Sequence, residues 1–283
     1  MLTQQEPNRW PAPAKLNLML RIVGRRGDGY HLLQTVFQFL DYSDHLYFHR
    51  RRDAVIRRCN PVPGLPQEQD LTVRAARLLQ RESGASQGVD IELHKRLPMG
   101  AGLGGGSSDA ATTLVALNRL WNCRFSVSQL AGIGLSLGAD VPVFVSGQAA
   151  WGEGVGERLT PLELPEPWYL VLVPPCHVAT ADIFSAPDLT RDSGRIKIRD
   201  FLAGSVENDC RSVVCRRYPQ VADTLQWLEG FAEARLTGTG AAVFAEFRSK
   251  QAAEQVKAQA PGGCRAFVAR GLNRSPLQGL VAD

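Results

Sequence analysis

Pro98–Ala111, P-M-G-A-G-L-G-G-G-S-S-D-A-A, puts five glycines among fourteen residues directly ahead of a helical pattern. Glycine has no Cβ, so such a loop reaches positive φ and lets backbone N–H groups approach a ligand. Behind it Ala110, Leu114, Leu117 and Trp121 recur at helical spacing on one face. Ser107 or Ser108 is expected to cap that helix. Its first N–H groups lack intrahelical partners and carry the positive end of the dipole. The combination predicts an anion site, with phosphate the natural occupant. A flexible hairpin or a tight helix–strand crossing is the plainer alternative.

Two familiar motifs do not fit. Gly100, Gly102 and Gly105 match G-x-G-x-x-G, but no acid stands between Asp109 and Asp140 to hold a ribose. The chain contains no Gly-Lys pair for a Walker loop, and neither H-R-D nor D-F-G. A phosphate loop of another kind remains.

Working outward, Val89–Leu93 alternates as a strand and leads through Lys95 into the glycines. Lys95 is either a phosphate contact or a strand-end charge. Upstream, Lys15–Val23 (K-L-N-L-M-L-R-I-V) alternates cleanly, which predicts a strand with one face in the core. Lys15 and Asn17 then share a face, about 7 Å apart along the strand; solvent exposure is the simpler reading of both. Gly24–His31 reads as a turn, and Leu32–Leu40 and Asp44–His49 as strand segments. A hairpin is expected through Arg50-Arg51-Arg52 and Arg57-Arg58, a run that fits a solvated face better than nucleic-acid binding. Asp70 is expected to cap a helix with Leu71, Ala75, Leu78 and Leu79 on its core face.

Downstream, Ser126–Leu137 reads as a capped helix closed by Gly138, and Asp140 as an acid directly before an apolar strand. Such an acid is either catalytic or a turn cap. From Trp151 glycines and prolines mark a domain junction. Beyond it the pattern predicts a strand at Tyr169–Val173 and a loop over Pro174–Pro187 carrying Thr180 and Phe184. Helices follow at Phe201–Tyr218 and Pro219–Leu228, then a glycine turn at Leu236–Ala241, a strand at Ala242–Phe247, a helix at Ser249–Gln259 and a strand at Arg265–Ala269.

The 283 residues suit one large or two ordinary domains, and a hydrophobic fraction of 44% supports a real core. A net charge of +4 suits an anionic substrate without demanding nucleic acid. Six cysteines lack C-x-x-C or zinc spacing and read as reduced, cytosolic thiols. Pro7, Pro11 and Pro13, with no apolar stretch around them, argue against a signal peptide, and no segment is long enough to span a bilayer.

Five motifs in order carry a resemblance. They are P-A-P-A-K-L-N-L at Pro11–Leu18, G-D-G-Y-H at Gly27–His31, L-P-M-G-A-G-L-G-G-G-S-S-D-A-A at Leu97–Ala111, G-A-D-V-P-V-F at Gly138–Phe144 and R-L-T-G-T-G at Arg235–Gly240. Together they resemble the GHMP kinases (galactose, homoserine, mevalonate and phosphomevalonate kinases) over nearly the whole chain. The resemblance implies an α+β, two-domain fold. Residues 1–152 would form an N-terminal ATP-binding domain and 153–283 a C-terminal, ferredoxin-like α/β-plait substrate domain, with the active site in the cleft between them. It implies phosphorylation by ATP of a tertiary hydroxyl on a small alcohol linked to cytidine diphosphate, CDP-methylerythritol. Lys15 and Asp140 are then the catalytic pair: Asp140 takes the hydroxyl proton and Lys15 stabilises the developing alkoxide. ATP would be bound by Lys95, Pro98, Met99, Gly100, Ala101, Gly102, Leu103, Gly104, Gly105, Gly106, Ser107 and Ser108. Asn17, Tyr30, His31, Phe37, Thr180 and Phe184 match positions around the cytidine diphosphate, with Tyr30 and Phe184 sandwiching the base. Mg2+ is expected with ATP, held largely by phosphates and water, with Ser107 or Ser108 as an available hydroxyl. The family usually has Asn-Leu where this chain has Asp70-Leu71. Other small-alcohol kinases, and a non-catalytic nucleotide- or RNA-binding protein, are the competing readings. The expected partner is a small molecule, with neither nucleic acid nor membrane; the oligomeric state is not legible.

Overall fold

A computed structural model describes residues 8–280. The reading of the leader rests partly on Pro7, which lies outside them. The spine is a long pair of antiparallel strands, β1 (Arg9–Arg25) and β2 (His31–Arg51). The two segments expected over 32–49 are one 21-residue strand. Its free edge passes from β5 (Ala150–Gly154) at residues 33–37 to β10 (Arg265–Leu272) at 39–40 and β4 (Gly88–His94) at 45–51. β1 is buried on both faces rather than one, because helices cover one side and the second half of the chain the other.

The arginine run does not turn back on β2. β3 (Ile56–Arg58) pairs in parallel with β4, which lies between it and β2. Carboxylates decide this: Asp90 on β4 takes Arg51 at 2.9 Å and Arg57 at 2.8 Å, and Asp53 pairs with Arg51 at 2.6 Å. Helices α1 (Leu71–Ser83), α2 (Gly105–Leu120), α3 (Val127–Leu135) and α4 (Val141–Ser146) pack over these strands. Asp70 caps α1 by accepting from Thr72 N at 2.8 Å, and α3 carries a Ser126/Gln129 capping box.

Two local expectations fail. The run after Asp140 is helix α4, not a strand; Pro142 suits its first turn and Gly147 closes it at φ 66°. A short apolar run buried all round has no periodicity to separate the two. At α2 the N-cap is Gly104, not a serine, so Ser107 and Ser108 stand inside the first turn.

β5 continues into β6 (Arg158–Pro161), and β7 (Trp168–Val173) opens the second half. The sheet order there is β10-β7-β9-β8, with β8 at Ala234–Leu236 and β9 at Val243–Phe247. The Pro174–Pro187 loop contains a helical turn, α5 (Thr180–Phe184). The expected helix over 201–218 is two, α6 (Ile198–Leu202) and α7 (Arg211–Arg217), interrupted where Leu20 and Asn208 form a bridge. α8 (Pro219–Glu229) and α9 (Lys250–Lys257) complete the layer. A division at 152/153 falls inside β5. The last residues return to the first core, where Leu277 is 1% exposed. Among the described residues no helix is long and apolar enough to cross a membrane.

Candidate active site

The glycine stretch is pinned from three sides. Lys15 N donates to Leu103 O at 3.0 Å, Ala242 N to Ala101 O at 3.1 Å, and Thr237 Oγ1 to Gly102 O at 3.4 Å. The turn Gly238–Thr239 thus lies against the loop, although only its glycine character stood out in the sequence. Gly102 sits at φ +75°, and a Cβ there would lie 2.4 Å from Thr237 O. At Gly104, φ +73°, a Cβ would lie 2.8 Å from Phe144 and 3.0 Å from Lys15. These two positions therefore require glycine for both torsion and space.

A cavity of about 940 Å³ opens along this loop. Lys15, Asn17, Tyr30, His31, Phe37, Lys95, Pro98–Ser107, Asp140, Thr180 and Phe184 all line it. Ser108 alone of the expected residues does not: it is fully buried, and its hydroxyl has no hydrogen-bond partner. Leu65, Gln69, Asp70 and Leu71 form a wall that sequence reasoning assigned only through Asp70-Leu71.

Lys15 and Asp140, 125 positions apart, meet at 3.2 Å. The Lys15 ammonium is 3% exposed and is aimed by Asn17 Oδ1 at 2.5 Å and Gly102 O at 3.2 Å. Asp140 stands at the N-cap of α4 but its side chain caps nothing, so the carboxylate is left to the cavity, 33% exposed. Asn17 is held by Thr35 Oγ1 at 2.8 Å and, through its backbone N–H, by Thr237 Oγ1 at 2.9 Å.

Lys95 lies beside the start of α2, bonded to the carboxylates of Asp44 and Asp109, the latter at 2.7 Å. Burial opposes its charge, but Asp109 and Asp44 outweigh that and hold its pKa above the usual value. Asp44 also accepts from Arg96 N and Leu97 N, so both its oxygens are satisfied. Asp109 is not so well served. One oxygen is buried without a partner, and burial pushes its carboxyl up to about 8 despite Lys95. An acid whose pKa rises on folding loses stability as pH climbs, here from about 4 to about 8. Asp109→Asn should remove that slope. Denaturant titrations of both proteins across this range should show the difference moving toward the variant as pH rises; parallel profiles would refute the assignment.

At the far end Tyr30 is 62% exposed at the rim, while Phe184 stacks on His31 with centroids 5.0 Å apart. Thr180 Oγ1 pairs with Thr239 Oγ1 at 3.0 Å. Arg191, which no sequence signal marked, reaches His31 Nε2 at 3.1 Å.

A glycine loop feeding a helix N-terminus, with a lysine–aspartate pair opposite, defines a small-molecule kinase. The family models agree: GHMP kinases N terminal domain over residues 70–148 and GHMP kinases C terminal over 199–265. The chain is 58% identical over 268 residues to the 4-diphosphocytidyl-2-C-methyl-D-erythritol kinase of Nitrosococcus oceani, covering 95% of this chain and 96% of the relative. It is 54% identical to that of Aromatoleum aromaticum, covering 96% and 95%. A crystal structure of 4-(cytidine 5'-diphospho)-2C-methyl-D-erythritol kinase matches with TM-score 0.77 and 32% identity, covering 93% of this chain and 98% of that one. Homoserine kinase from Cytophaga hutchinsonii shares the fold at TM-score 0.66 and 18% identity, with 97% and 98% covered. The chain belongs to the 4-diphosphocytidyl-2-C-methyl-D-erythritol kinase family of GHMP kinases.

Proposed function

We propose that the cavity transfers the γ-phosphoryl group of ATP to the 2-hydroxyl of 4-diphosphocytidyl-2-C-methyl-D-erythritol, a step in non-mevalonate isoprenoid precursor synthesis. The observation that carries this reading is the 3.2 Å Lys15–Asp140 pair facing the glycine loop inside one cavity. Asp140 accepts the hydroxyl proton as the oxygen attacks phosphorus and ADP leaves. Lys15 stabilises the oxygen's developing charge. The loop amides and the α2 N-terminus neutralise the phosphates, which is most of what phosphoryl transfer asks of a protein.

ATP is held by residues within 1–152, with Leu65, Leu71, Pro98 and Met99 around the nucleoside. Residues 153–283 add Thr180, Phe184 and Thr239 to the substrate end. Among the described residues no cluster of three or more His, Cys, Asp or Glu side chains could hold a metal. That suits a Mg2+ carried by ATP oxygens and water. Ser107, which unlike Ser108 lines the cavity, is the hydroxyl we assign to it. Bound there with ATP, Mg2+ would offset phosphate charge. The same reading implies a cytoplasmic enzyme. The ion pairs of Arg51, Arg57 and Arg58 with Asp53, Asp90 and Asp70 weigh against the RNA-binding alternative.

Turnover of ATP with the CDP-linked substrate, beside a plain polyol acceptor, tests the reading. Phe184→Ala should raise KM for the CDP-linked substrate about tenfold or more, since base stacking on an aromatic is worth ~1–3 kcal/mol. An unchanged KM would remove the base from that face.

A further inference from the structure

The tautomer of His31 is set by chemistry visible in the fold. Arg191 follows α5 and donates through Nη1 to Leu189 O at 2.9 Å, and through Nη2 to Phe184 O at 3.0 Å and Ala186 O at 2.6 Å. Its Nε donates to His31 Nε2 at 3.1 Å. A guanidinium has donors only, so Nε2 must be the nitrogen without a proton. A neutral ring then carries its hydrogen on Nδ1. Phe184, whose carbonyl Arg191 holds, stacks on the same imidazole with an interplanar angle of 27°, so one side chain fixes both the ring's partner and its plane. Among the described residues no protein group bonds Nδ1, and His31 lines the cavity.

The groups acting on the imidazole are consistent with a neutral ring. Burial, then Arg191, then Arg25 on β1 depress its pKa below the usual value. The one acid in the adjoining turn, Asp28, is already paired with Arg26 at 2.7 Å and accepts from Tyr30 N. Phe184 and Thr180 on α5 bring no charge.

We propose that Arg191 is a positioning residue for base recognition, locking His31 as the neutral Nδ1–H tautomer so that the ring offers the cavity a donor and no acceptor. This rests on reading that end of the cavity as the CDP subsite. Cytosine presents N3 and O2 as neighbouring acceptors, which such a donor satisfies. Uracil presents N3–H, which only the other tautomer would accept, and that tautomer would set Nε2–H against the Arg191 N–H. A mismatched buried donor pair is what gives hydrogen-bonded sites their discrimination.

The test uses the whole enzyme in three forms: wild type, Arg191→Met and Arg191→Lys. Nitrogen-15 NMR of labelled histidine, with His31→Gln for assignment, should find wild-type His31 neutral and protonated on Nδ1 at about pH 8, where an imidazole carries no charge. Calorimetry with CDP and UDP should show wild type preferring CDP. In Arg191→Met that preference should fall at least about tenfold, about 1.4 kcal/mol. KM for the CDP-linked substrate should rise while kcat at saturation stays within about twofold. Arg191→Lys, which keeps a donor and the charge, should recover part of the preference. Wild-type His31 protonated on Nε2, or equal weakening toward CDP and UDP, would overturn the proposal. So would a loss of kcat with KM unchanged. CDP preference in a wild type that turns over no CDP-linked substrate would sink the functional reading instead and leave this one standing. The wild-type NMR decides the tautomer even if Arg191→Met does not fold.

Discussion

Asp140→Asn is expected to lower kcat about a thousandfold or more while ATP and substrate still bind. Positioned acid–base groups contribute typically ~10²–10⁴-fold. The amide is nearly isosteric and cannot take the hydroxyl proton. The Asp140 side chain caps nothing in α4 and is one-third exposed, so the cost to the fold is confined to its pairing with the buried Lys15 ammonium, and urea titration measures it beside kcat. Its one ion pair is with Lys15, whose ammonium retains Asn17 Oδ1 and the Gly102 carbonyl as acceptors. Steady-state ADP release with the CDP-linked substrate, together with calorimetric ATP binding, separates the terms. A kcat within tenfold of wild type would mean that another group takes the proton.

Arg58→Met should destabilise the protein by ~3–5 kcal/mol, the usual cost of leaving a buried charge without its partner. Arg58 and Asp70 are 7% and 2% exposed and 2.6 Å apart. Arg58 also donates to Asn60 O and Leu65 O at 2.9 and 2.8 Å. It therefore ties the loop ahead of α1 to the cap of that helix. Leu65, Asp70 and Leu71 line the cavity, so KM for ATP should rise as stability falls. Adding Asp70→Asn to the variant should restore much of the loss, because asparagine caps a helix as well as aspartate and brings no charge. Urea titration of the three proteins measures it. If the double variant is no more stable than Arg58→Met, the buried charge is not the cause. An internal cation thus balances Asp70, and both Asp70 oxygens are spent inside the protein.

The glycine loop, the helix behind it and the strand β1 were legible in the sequence because each is a local pattern, but the single buried face that alternation promised for β1 was not what the fold delivered. Lys15 and Asp140 were visible only as residue types, and the resemblance supplied the pairing that a 3.2 Å contact now gives a geometry. The apolar run after Asp140 misled because a six-residue helix whose first five residues are apolar and buried shows no polar face to betray its period. The arginine run misled for a different reason. Its partners, Asp90 and Asp70, lie up to 39 positions away, and Asp90 is brought in by the pairing of β4 with β2 on one side and β3 on the other. Asp44, Asp109 and Arg191 carried no warning at all. They are single polar residues whose meaning comes from what the fold sets opposite them.

The return of the C-terminal segment to the first core bears on how the protein is made. Asn273 O accepts from Ala149 N and Ser275 N donates to Gly147 O. Leu277 is sealed into the cluster that holds α2 and α4. Chains leave the ribosome at ~5–20 residues per second, so on the order of ten seconds separate Gly147 from Leu277. Through that interval the first core has an open flank, which closes only when Leu277 arrives. A chain cut short before Leu277 would therefore leave apolar surface of its first core for a chaperone or protease to find.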